Sequence, residues 1–245
     1  MNPKSISFPV QVVSDLHGVF HWSSLIDWDF TRVKQIIFLG DYVDPYDGFN
    51  LSGIDVQINL EELLAFKNMY PEQVILLLGN HDVFYLSPRI ARSNLYGSYA
   101  KILQQLFRDN IHLFQLSHQI GNCLFSHAGL TRQFWKFLGG KGTNYAFTLN
   151  KMFADSRGNF DMEYYWRRCE ANLPYGNIIT LSRSEFKNKN NWITGLHQIV
   201  GHHAVDEIET DRWYKDDECI SSIIYTNTLR SRGLQVFEFD AAGVL

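Results

Sequence analysis

Residues 35–44 read Gln35-Ile36-Ile37-Phe38-Leu39-Gly40-Asp41-Tyr42-Val43-Asp44, a short apolar run that stops abruptly at a glycine and two carboxylates. An apolar run of strand length without polar alternation reads as a strand buried on both faces. Its C-terminal end then delivers Gly40, Asp41 and Asp44 to one sheet edge. The pattern recurs outward from this stretch. Phe8 to Val13 runs into Ser14-Asp15, Val74 to Leu78 into Gly79-Asn80, and Cys123 to Phe125 into Ser126-His127. Between the first three strands lie two amphipathic segments, Trp22 to Asp29 and Asp55 to Met69, the second with Val56, Leu60, Leu63, Leu64 and Met69 near helical spacing. Strand, loop, helix, strand is an α/β order. In such sheets ligands gather outside the carboxyl ends of the strands, where loops and helix N-termini converge.

Beyond His127 the pattern changes. Helices are expected over Leu130 to Leu138, Ala146 to Ala154 and Met162 to Cys169, interrupted by Gly139-Gly140-Lys141-Gly142 and followed by the polar run Lys187 to Asn191. Residues 1–245 are read as one domain, with 130–197 as a mainly helical insert or cap, because that segment is too short and broken to hold a core of its own. Strands resume over Gln198 to Gly201, Ile208 to Trp213, Ile220 to Thr226 and Leu234 to Phe239, and their spacing suggests a closing antiparallel meander.

Composition narrows the function. Among 245 residues, 22 Lys plus Arg face 26 Asp plus Glu, a formal net charge of −4. Such a balance gives no global attraction for nucleic acid or an anionic membrane. Three scattered cysteines, Cys123, Cys169 and Cys219, form no CxxC pair and suit a reducing cytoplasm. The longest apolar runs fall far short of a membrane span, and no export signal is legible at the N-terminus.

The strand ends supply, in order, Asp15-Leu16-His17, Gly40-Asp41-Tyr42-Val43-Asp44, Gly79-Asn80-His81-Asp82, Ser126-His127-Ala128-Gly129 and Gly201-His202-His203. Carboxylate, imidazole and amide oxygen are ligands for divalent Mn, Fe or Zn, and the number of blocks implies two ions bridged by a carboxylate. Taken singly, each residue has a structural alternative: Asp15 as a turn cap, Asn80 as a helix N-cap, His81 with Asp44 as a satisfied core pair. No packing rule demands all of them together, in order, at buried strand ends.

These blocks resemble the calcineurin-like metallophosphoesterases, whose pattern is D-x-H, G-D-x-x-D, G-N-H-D or E, then H, then G-H. The resemblance covers residues 15–203 and implies a sandwich of two facing mixed sheets flanked by helices, four layers in α/β/β/α order. It also implies a dinuclear, metal-dependent phosphoesterase. Carried over by position, Asp15, His17 and Asp41 would hold one ion, and Asp41, Asn80, His127 and His202 the other. His81 would be the general acid, with Asp44 orienting it. Manganese is the first choice of metal, with iron or zinc as alternatives. The implied reaction is attack of metal-generated hydroxide on a phosphate monoester carried by a small molecule, a nucleotide or a protein. Alternatives are a dinucleoside polyphosphate hydrolase, a phosphodiesterase or nuclease, and a non-catalytic scaffold of the same fold.

Gly40 to Asp44 and Asn94 to Tyr99 look like the Ser/Thr phosphoprotein phosphatases, whereas Leu78 to Asp82 and Ser126 to Leu130 look equally like bacterial diadenosine tetraphosphatases. The phosphoprotein phosphatases place Arg-Gly after the second Asp of G-D-x-x-D, and here those positions are Pro45 and Tyr46. Arg183, before the final G-H block, is the match for a phosphate-clamping arginine, since a guanidinium fork fits phosphate oxygens in pairs. Ala204 stands where relatives with a G-H-x-H ending draw a further ligand, so His203 is assigned no metal. Arg89, Arg92 and Arg132 follow ligand blocks and are weaker substrate contacts. The insert aromatics Trp135, Tyr145, Tyr164, Tyr165, Trp166, Tyr175 and Trp192 could stack a base or form core. A nuclease groove would draw on Lys136, Lys141, Arg167, Arg168, Lys187 and Lys189. The remaining histidines, His21, His112, His118 and His197, are given no role.

Overall fold

The computed structural model describes residues 8–86, 99–156 and 177–240. The Met162 to Cys169 helix, Asn94 to Ser98, Arg89, Arg92, Arg167, Arg168, Tyr164, Tyr165, Trp166 and Tyr175 lie outside the described residues.

Four apolar runs form strands where the sequence places them, β1 (Pro9–Val13), β2 (Gln35–Phe38), β3 (Val74–Leu77) and β6 (Cys123–Ser126), and two short strands that the sequence reading did not place, β4 (Phe114–Gln115) and β5 (Ser117–Ile120), lie between the last two. Strands β1 to β4 run parallel in one sheet, with β10 (Val236–Asp240) added antiparallel at its edge in the order β10-β1-β2-β3-β4. The second sheet has the order β5-β6-β7-β9-β8, from β7 (His197–Ala204), β8 (Glu209–Lys215) and β9 (Glu218–Asn227).

Because side chains alternate along a strand, each strand divides its apolar residues between two layers. Val10, Val12, Ile37, Leu39, Ile75 and Leu77 meet Cys123, Phe125, Ile199 and Ile224 between the sheets. On the other face, Val13, Ile36, Phe38, Val74 and Leu76 pack under helices. Chief among these is α2 (Gly53–Met69), which buries Val56, Leu60, Leu63 and Leu64, joined by Leu103 and Phe107 of α4 (Ala100–Asp109). A reciprocal cap opens α2: Asp55 N–H donates to Ser52 Oγ while Ser52 N–H donates to Asp55 Oδ2 at 2.7 Å. On the outer face of the second sheet, Val200, Ile223 and Tyr225 pack with Phe186 of the 3-10 turn Arg183–Lys187 and with Trp192, the residue that follows a second 3-10 turn, Lys189–Asn191. Two mixed sheets flanked by helices are thus the architecture that the five blocks imply.

Two expectations need correction. Helix α1 covers only Trp22–Leu25, not Trp22 to Asp29, because Asp29 Oδ1 accepts from Thr31 N–H at 2.9 Å and Asp27 N–H donates to Gln11 at 2.7 Å. These local bonds compete with helix propagation. Nor do the last strands form a meander: β7 and β9 are parallel neighbours, β8 lies antiparallel on the far side of β9, and β10 crosses to the first sheet. β9 is buried from Ser221 to Asn227 and needs partners on both sides. The charged β8, with Glu209, Asp211, Arg212 and Lys215, belongs at an edge.

Of the 130–197 segment, the described part contains α5 (Arg132–Phe137), α6 (Tyr145–Ser156) and the two 3-10 turns. Asn150 of α6 is tied to the sheet edge, its Oδ1 accepting from Leu116 and Ser117 N–H and its Nδ2 donating to Ser117 C=O at 2.8 Å. Trp135, Tyr145 and Trp192 are buried in the core.

Candidate metal centre

The loops after β1 and β2 are zipped together by backbone bonds, His17 N–H to Asp41 C=O at 2.8 Å and Gly18 N–H to Tyr42 C=O at 2.9 Å. Helix α3 (Asn80–Leu86) starts directly after β3, and a bulge between Val200 and Ala204 turns His202 inward from β7. Two glycines permit the approach of these ends. A side chain on Gly79 would overlap Asp41, and one on Gly201 would overlap Ser14 and the Asp15 carboxylate. Asp15, His17, Asp41, Asp44 and His202 all hold left-handed backbone angles, with φ of 50, 44, 55, 59 and 56. For residues with a Cβ that conformation costs about 1–2 kcal/mol each, so the surrounding bonds must hold the loops in place.

Two triads result. Asp15, His17 and Asp41 offer ligand atoms within 4.8 Å of one another, as do Asp41, His127 and His202, with Asp41 common to both. Asn80 joins the second, its Oδ1 lying 3.0 Å from His127 Nε2. Asn80 therefore faces the cluster as the first residue of α3 instead of acting as an N-cap before it. Asp15 accepts the His202 N–H on both oxygens at 3.0 Å and the Ser14 hydroxyl, tying β1 to the β7 bulge.

The protonation of the rings points to a cation. A carbonyl only accepts, so His17 Nδ1 must donate to Asp44 C=O at 2.8 Å and His127 Nδ1 to Leu39 C=O at 2.8 Å. Both Nε2 atoms then turn inward. His17 Nε2 is buried without a hydrogen-bond partner, 3.8 Å from Asp41 Oδ2. His127 Nε2 faces the Asn80 oxygen and, at 3.3 Å, Asp41 Oδ2. In neutral rings these are lone pairs set against acceptors, an arrangement that a divalent ion relieves. Burial opposes ionisation of His127, but Asp41 and Asp15 push it up to about 9, so a proton competes for the same position. Burial and the neighbouring His127 hold His202 down to about 3, keeping its ring neutral.

His81 and Asp44 form the adjacent pair, with His81 Nδ1 at 2.9 Å from Asp44 Oδ2. The other Asp44 oxygen accepts from Tyr85 O–H at 2.5 Å. Burial disfavours the charged His81 ring, yet the bond to Asp44 and the charges of Asp41, Asp44 and Asp82 raise its pKa above the ordinary histidine value. The ring is half-buried and lies edge-on to His17, 5.0 Å between centroids.

Arg183 lies on the outer face of the second sheet, where its charge bears on His203, whose ring is 5.0 Å from that of His202. Arg183 Nη2 is 2.6 Å from Glu209, and Arg183 Cζ lies 4.2 Å from the Tyr225 ring centroid. Arg132 is tied to Trp192 C=O at 2.9 Å. His203 Nε2 bonds Ala128 C=O and joins neither triad. His118 and His197 bond Gln35 and Ser222.

Asp82 and Tyr85 carry more of the site than their residue types announced. Asp82 is fully buried and accepts the N–H groups of Asp41, Tyr42 and Gly79, each at 2.8 Å. Burial and the charge of Asp41 push its carboxyl up to about 8 against those donors. Tyr85 sits four residues after His81, on the same helical face, and that spacing was the available signal. Asp82→Ala leaves three buried N–H groups unpaired at about 1–3 kcal/mol each. We expect urea unfolding to report a loss of more than about 3 kcal/mol; a loss below about 1 kcal/mol would show that the loops hold without Asp82.

A family model described as calcineurin-like phosphoesterase matches residues 8–233. Among curated proteins, the chain is 31% identical over 136 residues to a serine/threonine-protein phosphatase of Caenorhabditis elegans, covering 52% of this chain and 28% of that protein. It is 33% identical over 110 residues to one of Candida albicans, covering 41% and 22%. The matches thus span less than a third of these relatives. Among solved structures, a mutant of a cold-active protein tyrosine phosphatase superposes with a TM-score of 0.62 at 18% identity, over 95% of this chain and 75% of that one. This last likeness concerns the fold.

Proposed function

The chain belongs to the calcineurin-like phosphoesterases, and on that premise we propose that it hydrolyses phosphate monoesters, of a small molecule, a nucleotide or a phosphoprotein, with two divalent ions. The observation that carries this reading is the sharing of Asp41 between two triads. In it, Asp15, His17 and Asp41 hold one ion, and Asp41, Asn80, His127 and His202 the other, manganese being the first choice.

Divalent ions bound there would make hydroxide available from water near neutral pH and neutralise charge on the phosphate oxygens. The chain's own residues do the rest. Asp44 fixes the His81 ring through Nδ1 and, with its oxygen held by Tyr85, keeps the imidazolium protonated. His81 Nε2 then carries the proton that the leaving alkoxide needs. Asp82 holds the Asp41 loop against Gly79, so the shared carboxylate keeps one position. The serine/threonine phosphatase relatives support phosphorylated substrates, and three scattered cysteines with no CxxC pair are compatible with a cytoplasmic setting. Among the described residues no helix is long and apolar enough to cross a membrane. The reading of 1–245 as one domain with 130–197 as an insert is part of the same proposal.

The test is hydrolysis by metal-stripped protein with and without added Mn²⁺, comparing p-nitrophenyl phosphate with bis-p-nitrophenyl phosphate. We expect Mn²⁺ to restore turnover of the monoester. Cleavage of the diester alone would move the protein to the phosphodiesterases, and metal binding without cleavage of either would sink the enzymatic proposal.

A further inference from the structure

The turn after Asp44 carries Pro45 and Tyr46, so no guanidinium enters the site from there. Tyr46 instead packs its ring on that of His17, 4.1 Å between centroids and tilted by 34°. The Cζ of Arg230 stands 4.0 Å from the centroid of the same Tyr46 ring. A single aromatic ring therefore links this guanidinium to a member of the Asp15–His17–Asp41 triad. A phenol ring presents a good π face to a cation.

The backbone that presents Arg230 is fixed. It belongs to α7 (Leu229–Arg232), which follows β9 directly. Leu229 is buried in the core, and its N–H donates to Asn227 Oδ1 at 3.4 Å. Ser231 Oγ donates to Val205 C=O at 2.8 Å, and Thr228 Oγ1 to Gly233 C=O at 3.1 Å. Arg230 itself is exposed, and among the described residues no hydrogen bond or ion pair takes up its nitrogens. Stacking on a ring uses the flat face of a guanidinium and leaves its in-plane N–H donors free. By contrast, Arg183 spends its charge on Glu209 and Arg132 its nitrogens on Trp192 and Thr194.

Charge gives this free cation a role. The Asp15–His17–Asp41 triad lies one ring away, where the reading above places the substrate phosphate. A guanidinium edge matches two phosphate oxygens at once. We propose that Arg230, held over the Tyr46 ring, is the substrate-binding residue that grips the nonbridging oxygens of a phosphate monoester. The inference rests on the phosphatase reading above and names the residue that selects for a dianionic phosphoryl group.

The experiment uses metal-loaded wild type, Arg230→Ala, Arg230→Lys and Tyr46→Leu. It reads KM and kcat for p-nitrophenyl phosphate, the affinity for inorganic phosphate by calorimetry, metal stoichiometry and melting temperature. Loss of charge-assisted hydrogen bonds predicts KM and phosphate Kd raised by about 10- to 100-fold in Arg230→Ala. The effect on kcat is smaller, and metal content and melting are unchanged. Arg230→Lys recovers part of the affinity, since charge returns without the fork, and Tyr46→Leu weakens phosphate binding in the same direction. An unchanged phosphate Kd in Arg230→Ala overturns the assignment. Should wild type cleave no monoester, the phosphatase reading falls on its own. The calorimetric comparison still decides Arg230, because equal affinity in wild type and variant, or binding by neither, rejects it.

Discussion

Asp41→Asn is expected to lower Mn²⁺-supported hydrolysis of p-nitrophenyl phosphate on the order of a thousandfold, the size of effect seen when a group stabilising transition-state charge is removed. Asp41 is the one side chain common to both triads, so a single substitution would weaken both of the proposed ion positions. The geometry isolates the charge well. Asp41 Oδ1 accepts the His81 N–H at 2.9 Å, a bond that the asparagine oxygen can keep, whereas Oδ2 is the atom facing His17 and His127. An amide nitrogen there would offer divalent ions neither a ligand atom nor a compensating charge. Circular dichroism and melting should show a folded protein, while metal analysis should show reduced stoichiometry. Near-wild-type turnover with the fold intact would remove the shared-carboxylate mechanism.

The same residue shows how far sequence reasoning reached. Asp41 follows an apolar run and a glycine, and both are local signals, so its place at a sheet edge was legible. Asp15, His17, Asn80 and His127 were legible for the same reason. Strand pairing was less so. The relation of β7 to β9 depends on which strands find buried partners, and a spacing of eight to twelve residues fits a meander as well as a crossover. The positions of Arg183 and Arg230 were illegible for a further reason. A long side chain is placed by its tertiary partner, Glu209 in one case and the Tyr46 ring in the other. Those partners lie 26 and 184 residues away in sequence, beyond any local pattern. Asp82 stood inside a recognised block, yet its bonds to Asp41, Tyr42 and Gly79 are set by the meeting of two loops.

His81→Ala should separate leaving groups. General-acid catalysis is worth about 10²–10⁴ in rate when the departing oxygen is basic, and little when it leaves readily as an anion. We therefore expect phenyl phosphate hydrolysis to fall within that range and p-nitrophenyl phosphate hydrolysis to fall by less than about tenfold. The pH dependence gives a second arm. The His81 pKa is raised above 6.5, principally by its bond to Asp44 once the opposing effect of burial is overcome. The acid form therefore persists above that pH and is lost as pH climbs through the raised value. The alkaline limb of kcat/KM for phenyl phosphate marks that loss. Asp44→Asn removes the carboxylate charge and should move the limb to lower pH while the acid limb stays in place. Tyr85→Phe, which deletes the hydroxyl bonded to the other Asp44 oxygen, leaves that carboxylate free to turn away from His81 and should shift the limb in the same direction by less. Equal losses on both esters in His81→Ala, or an alkaline limb unmoved by Asp44→Asn, would take the proton-donor role from His81 and leave it a half-buried ring packed on His17.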